Sequence, residues 1–374
     1  MALTKYKLGK LLQLLDNRNV DLLYGSDDVR GVNNLKELMP TKADISGRDL
    51  RKFQIVNPGE FVFNHRTSRN GSKFSIAYND TEKPVICTED YVVFRVTEEA
   101  QRCILSARWL YIFFKRAEFD RYVITNSWGS STEFFNWDDL CDIEIELPPL
   151  DIQQKYVDVY QAMLANQQSY EQGLEDLNMA CEALLEKYKR SVPRTSLGNL
   201  ISEVDVRNDS GKIESVQRVN KDKQFIPSVT SSSNILKYKI VSTGQFAVNL
   251  MHVGRDVAIP VAMNSGKPII VSPAYTVFEV KDKEILPEFV LMWLSRAETN
   301  RFAWFMSDTN VRSGMEKTRF YEIGIPMPTL MQQKSLIEIF QAMDLRKHIN
   351  ERLKERIKNI CPILIKGSLD EGRV

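Results

Sequence analysis

The chain has 374 residues, 43% hydrophobic and 26% charged, and its 50 Lys+Arg against 49 Asp+Glu give a net charge of +1. Without a global basic field, any nucleic-acid contact must rest on local patches. This composition excludes collagen and wholesale disorder, and five cysteines (Cys87, Cys103, Cys141, Cys181, Cys361) with no CxxC pair suit reduced thiols rather than a disulfide scaffold.

In chain order, residues 1–150 read as a globular segment with short β-type runs at Glu60–Asn64 and Tyr91–Val96, bounded by turn residues. Ile104–Phe114 has helical apolar spacing, which makes the segment mixed α/β. Its longest apolar run, Trp109–Phe114, falls far short of the ~20 residues of a membrane helix. The opening MALTKYKLGK carries no apolar export signal, so a cytoplasmic protein is expected.

Residues 151–192 change character. They contain a single glycine, no proline before Pro193, and a heptad in steps of three and four through Tyr160, Met163, Gln167, Tyr170, Leu174, Leu177, Cys181, Leu184 and Tyr188. That is a coiled-coil seam on a helix of about 60 Å at 1.5 Å per residue. Residues 193–330 form a second globular segment, with β-type runs at Gln245–Asn249 and Tyr275–Val280 and helical spacing at Leu286–Leu294. A second long helix, 331–368, carries Phe340, Met343, Ile349, Leu353, Ile357, Ile360 and Leu364, with a slip of phase after Met343.

The second half repeats the first. Leu8-Gly9-x-Leu11 and Asp16-x-Arg18-Asn19 recur 189 residues later as Leu197-Gly198-x-Leu200 and Asp205-x-Arg207-Asn208. Gly59-x-Phe61-x-x-Asn64 recurs at Gly244 with an offset of 185, and Tyr91-x-Val93-Phe94-x-Val96 at Tyr275 with an offset of 184. Pro148-x-Leu150-x-x-Gln153 and Gln161-Ala162-Met163 recur at Pro328 and Gln341 with an offset of 180. Ordered anchors with a slowly drifting offset are what a duplication with small loop indels produces. The stretches between anchors do not match, so one scaffold carries two different surfaces.

No catalytic residue is predicted. There is no phosphate loop, nucleophile elbow or dinucleotide fingerprint, and the three histidines (His65, His252, His348) lack metal-site spacing. No metal and no cofactor are expected.

The paired turns Ile145-Glu146-Leu147-Pro148-Pro149-Leu150-Asp151-Ile152-Gln153-Gln154 and Ile325-Pro326-Met327-Pro328-Thr329-Leu330-Met331-Gln332-Gln333 each open a long helix. Together with the Gly-x-Phe-x-x-Asn strands and Ser272-Pro273-Ala274-Tyr275, this duplicated order resembles the specificity (S) subunits of type I restriction–modification enzymes. The resemblance implies two similar target recognition domains joined by two long antiparallel coiled-coil helices with a pseudo-twofold internal repeat. Its implied partners are double-stranded DNA read as two half-sites, methyltransferase subunits (two of them), and restriction subunits in the full complex. It implies a non-catalytic chain, and Leu147-Pro148-Pro149-Leu150 lacks both the acceptor side chain and the aromatic of an adenine-methyltransferase motif. A protein-binding coiled-coil adaptor and an unrecognised DNA-modifying enzyme are the alternatives.

DNA contacts call for Lys and Arg at phosphates and for Arg, Asn or Gln at base edges. The first repeat offers His65, Arg66, Arg69, Asn70 and Lys73 just after a strand, and the second offers His252 and Arg255 at the matching place. A later pair of segments holds Ser130, Ser131 and Thr132 in the first repeat and Arg312, Lys317 and Arg319 in the second. Asp16–Arg18 and Asp205–Arg207 read as local turns and Trp128 and Trp304 as core or rim, while Gln153 and Gln333 either bond backbone at the helix starts, the favoured reading, or touch a methyltransferase.

Overall fold

The computed structural model describes residues 3–41, 43–67, 73–129, 133–228, 234–307 and 314–373, and the backbone but not the side chains of His252 and Arg255. The chain divides into two units, Met1–Tyr170 with Ile349–Val374, and Glu171–His348. Each therefore holds one globular repeat, part of the central helix Leu150–Ser191 and part of the C-terminal helix Leu330–Gly372.

In the first unit a four-stranded antiparallel sheet runs in the order Leu12–Leu15, Tyr91–Val96, Phe61–Asn64, Ile76–Tyr78. The run Phe61-Val62-Phe63 is apolar on both faces because both are covered. Phe61 and Phe63 enter one core with Phe94 and Trp109, while Val62 enters a second with Val93 and Ala77. Phe61 stacks on Phe94 across the register pair, with centroids 4.9 Å apart. The second unit repeats the order with Ile201–Val204, Thr276–Val280, Phe246–Val248 and Val261–Met263. There Phe246 stacks on Phe278 at 4.8 Å.

The β-type runs expected around Phe61, Tyr91, Phe246 and Tyr275 are the inner strands of these sheets. The two apolar helical stretches become Ala107–Phe114 and Pro287–Ser295. Ser106 caps the first with its hydroxyl, and Pro287 sits in the first turn of the second, where its missing N–H is harmless.

Each long helix is tied at its start by one fully buried glutamine. Gln153 accepts from Ser106 N (2.8 Å) and donates to Ile104 O and Pro148 O (both 2.8 Å). Gln333 does the same with Leu286 N, Glu284 O and Pro328 O. The amide thus satisfies backbone groups of the helix start and of the preceding helical layer at once.

Within the first unit the two helix segments pack antiparallel. Tyr160 lies in one core with Cys361 and Leu364, Trp109 Nε1 donates to Ser368 Oγ (3.1 Å), and Gln167 donates to Asn350 (3.0 Å). Within the second, Cys181 and Leu185 share a core with Leu336 and Ile337. A Cβ at Gly173 would lie 3.1 Å from Arg346 Nη1, so the only glycine of the central helix makes room for an arginine. Where the phase slips after Met343, the seam carries a buried polar pair, Asn350 with Gln167.

Replacing Gln153 or Gln333 by Leu leaves three buried backbone groups unpaired. At about 1–3 kcal/mol per orphaned group, each substitution should destabilise its own unit by about 3 kcal/mol or more, read as a lowered denaturant midpoint.

In the second unit Arg296 donates to Glu182 (2.7 Å) and Glu186 (3.0 Å) on the central helix, and its hydrogen bond holds the Glu186 carboxyl down to about 2. A depressed carboxylate contributes stability that is complete above its ordinary range near 4.5 and lost as pH falls towards 2. The acid limb of this unit's unfolding curve should therefore flatten in Arg296→Met. An unchanged slope between pH 4.5 and 2 would contradict that assignment.

Candidate nucleic-acid interface

The strand Phe61–Asn64 ends in a side-chain turn, with Asn64 Oδ1 accepting from Arg66 N (2.9 Å). The equivalent Asn249 accepts from Met251 N (3.0 Å) at the end of Phe246–Val248. An Asn side chain mimics a backbone turn here and sends the chain out of the sheet at the same point in both repeats.

In each repeat the two polar segments picked out in the sequence come together. In the first, Thr67 N and Oγ1 both donate to Glu133 O (2.9 and 3.1 Å), and Phe135 N donates to His65 O (2.9 Å). In the second, Met315 N donates to Leu250 O (2.8 Å), and Gly314 packs so closely on Leu250 that a Cβ would meet its carbonyl at 3.3 Å.

The individual side chains differ in availability. The half-buried His65 ring lies 5.3 Å from the Phe134 ring, and burial followed by the neighbouring Arg66 charge pushes its pKa down, so it is neutral at pH 7. Arg66 reaches Asp90 at 3.5 Å, and Lys73 donates to Asn34 O at 3.4 Å. Lys317 is engaged by Glu203 (2.5 Å) beneath its short helix Lys317–Tyr321, while Arg319 lies 3.7 Å from Glu316 and touches Met306 Sδ. His252 and Arg255 are carried by the turn Leu250–His252 and the helical turn Val253–Asp256. Arg69, Asn70, Ser130, Ser131, Thr132 and Arg312 lie outside the described residues.

Trp128 is 73% exposed and Trp304 50%, which puts both on the rim rather than in the core. Arg18 and Arg207 form the local turns expected, each paired with its own Asp and bonded to a backbone carbonyl, Lys52 O and Lys237 O (both 2.8 Å). Of the helix-seam residues, Tyr160 and Leu364 are buried, Ile357 packs beside them, and Leu184, Phe340 and Met343 pack on the second unit's core. Met163, Tyr170, Leu174, Leu177, Ile349 and Leu353 are half-buried. Among the described residues no acidic, His and Cys cluster could hold a metal, and no helix is long and apolar enough to cross a membrane.

Residues 195–359 match the family model described as the type I restriction modification DNA specificity domain. That segment belongs to this family, the one that the duplicated motifs resemble. Specificity subunits of this family are the non-catalytic, DNA-recognising components of restriction–modification complexes. The whole chain also shares a fold with solved structures. The S subunit of a type I restriction–modification system from M. genitalium aligns over 98% of this chain and 96% of its own, at 14% identity and a TM-score of 0.58. A chain from a structure on complex assembly and conformational transition of the type I R-M system aligns over 100% and 97%, at 14% identity and a TM-score of 0.53. No curated protein sequence matches the chain.

Sequence reasoning passed over one pair of side chains at this site. Asn33 and Lys36 recur as Asn220 and Lys223 with an offset of 187, between the flanking anchors at 189 and 185. That recurrence was the available signal.

Proposed function

We propose that the chain is the DNA-specificity subunit of a type I restriction–modification complex. Each repeat reads one half of a bipartite site, the two long helices set the unspecified spacer, and the duplicated scaffold docks two methyltransferase subunits, with restriction subunits joining in the full complex. The family match over 195–359 carries this reading, and the recurrence of the same sheet order in the first repeat extends it to both halves. A net charge of +1 fits a chain whose DNA affinity is completed by its partners.

The reading is tested at the half-sites. In the assembled complex, Arg66→Ala with Arg69→Ala should relax one half of the target and leave the other intact, and Arg255→Ala should do the reverse. Loss of a bidentate Arg–guanine contact costs about 1–3 kcal/mol, visible in selection from randomised DNA. Equal weakening on all sequences would make these residues phosphate contacts instead. Absence of any DNA preference in the wild-type complex would favour a protein-only adaptor.

The spacer is tested by helix length. Deleting the heptad Gln167–Gly173 together with Leu345–Glu351 keeps the seam and shortens each helix by ~10.5 Å, about three base pairs at 3.4 Å each. With one DNA turn per ~10–10.5 base pairs, the half-sites also rotate by roughly 100°. Surviving activity should use a shorter spacer between unchanged half-sites. Altered half-site bases at the original spacing, read from the methylome, would refute the ruler.

A further inference from the structure

One lysine in each repeat reaches inward from a hairpin tip to the end of the candidate DNA-binding segment. Lys36 lies between strands Arg30–Val32 and Leu38–Pro40, and Lys223 between Gln217–Val219 and Phe225–Pro227. Both adopt left-handed backbone, φ +65° and +63°, a conformation that non-glycine residues rarely hold unless their surroundings enforce it.

Their partners are also duplicated. In the first repeat Lys36 Nζ meets Asp120 Oδ1 (2.6 Å) and donates to Phe114 O (2.5 Å), and the same Asp120 oxygen accepts from Phe74 N (3.0 Å). In the second, Lys223 Nζ donates to Asn300 Oδ1 (2.8 Å) and to Ile259 O, while Asn300 Oδ1 accepts from Ile259 N (3.0 Å). Asp120 and Asn300 are related by the offset of 180 seen at the helix starts, and Phe74 and Ile259 by the offset of 185 seen at the glycines before the strands. Phe74 directly follows Lys73. Ile259 closes the segment with His252 and Arg255, two residues after Val257, a β-branched residue held at φ +50°.

We propose that Lys36 and Lys223, each with its helix partner, are positioning residues that fix the exit of the DNA-reading segment in their own repeat. The inference rests on the functional reading above and adds a difference between the two halves. The first clamp pairs an ammonium with a carboxylate; the second pairs a lysine with a neutral amide.

Burial of the Lys223 amine pushes its pKa down to about 7. Of the charged groups on the packed elements, Arg218, Lys221 and Asp222 on the hairpin, Asp256 on the segment and Arg301 on the helix are exposed, and the half-buried Glu298 of that helix is paired with Lys189 and Arg296. A neutral amine has two N–H groups, which equals the two acceptors present. Around Lys36, burial also lowers the pKa, opposed by Asp120 and reinforced by Lys115 and Lys73. Opening the second clamp lets Lys223 return towards its ordinary value near 10.5 and take up a proton. Closure therefore strengthens as pH rises from about 7 to about 10.5, by up to about tenfold per unit, and is independent of pH below about 7.

The assembled methyltransferase complex would be selected against randomised DNA at pH 7 and pH 9. Lys36→Met should cut discrimination at one half-site about tenfold or more and spare the other, and Lys223→Met should do the converse. Wild type should sharpen its second half-site between pH 7 and 9. Asn300→Asp should keep that half-site and abolish the pH response, and Asp120→Asn should create one in the first half-site. These two isosteric exchanges keep the test readable where a methionine variant does not assemble. Equal or absent effects of both methionine variants in folded complexes, or an unchanged pH response in Asn300→Asp, would overturn the clamp alone. A wild-type complex without sequence preference would overturn the functional reading and the clamp with it.

Discussion

The buried amides of Gln153 and Gln333 are the contacts on which the rest of each unit depends. A helix start exposes backbone groups that need partners, and so does the chain entering the preceding helical layer. One side chain with two donors and an acceptor answers both needs in 2.8–2.9 Å bonds. Because the bonds are directional, they fix the angle at which a long helix leaves its domain. A hydrophobic residue of the same volume would fill the space without setting that angle.

Upon that joint the same scaffold is built twice, with the same strand order and the same stacked phenylalanine pair in each sheet. The surfaces emerging from it differ. The first repeat sends out a loop beginning His65-Arg66, and the second a helical turn carrying Arg255, although both start from the same Asn-capped strand end. The division has a physical reason: buried apolar packing tolerates little change, whereas loops facing water tolerate a great deal.

Charge is arranged locally rather than globally. Several cations that look available in the sequence are already partnered, Lys317 by Glu203 and Arg66 by Asp90. The exposed Lys317–Glu203 pair is of a kind worth little to stability. The buried Lys36–Asp120 pair is different, because removing either partner strands a charge in the interior.

The sequence alone determined the duplication, the sheet strands at its Gly-x-Phe-x-x-Asn anchors, the two long helices and the family resemblance. Each of these is written as a period or a spacing, and both survive in one dimension. The backbone role of Gln153 and Gln333 and the Asp–Arg turns were legible for a related reason: their partners lie nearby or recur at a fixed offset. Tertiary structure decided what depends on distant partners. It brought the His65 and Glu133 segments together, placed Trp128 and Trp304 on the rim, and set a buried polar pair in the seam where the phase slips after Met343. It also joined Lys36 to Asp120 across 84 positions and Lys223 to Asn300 across 77. A hydrogen bond has no sequence period, and only the folded backbone specifies which donor meets which acceptor.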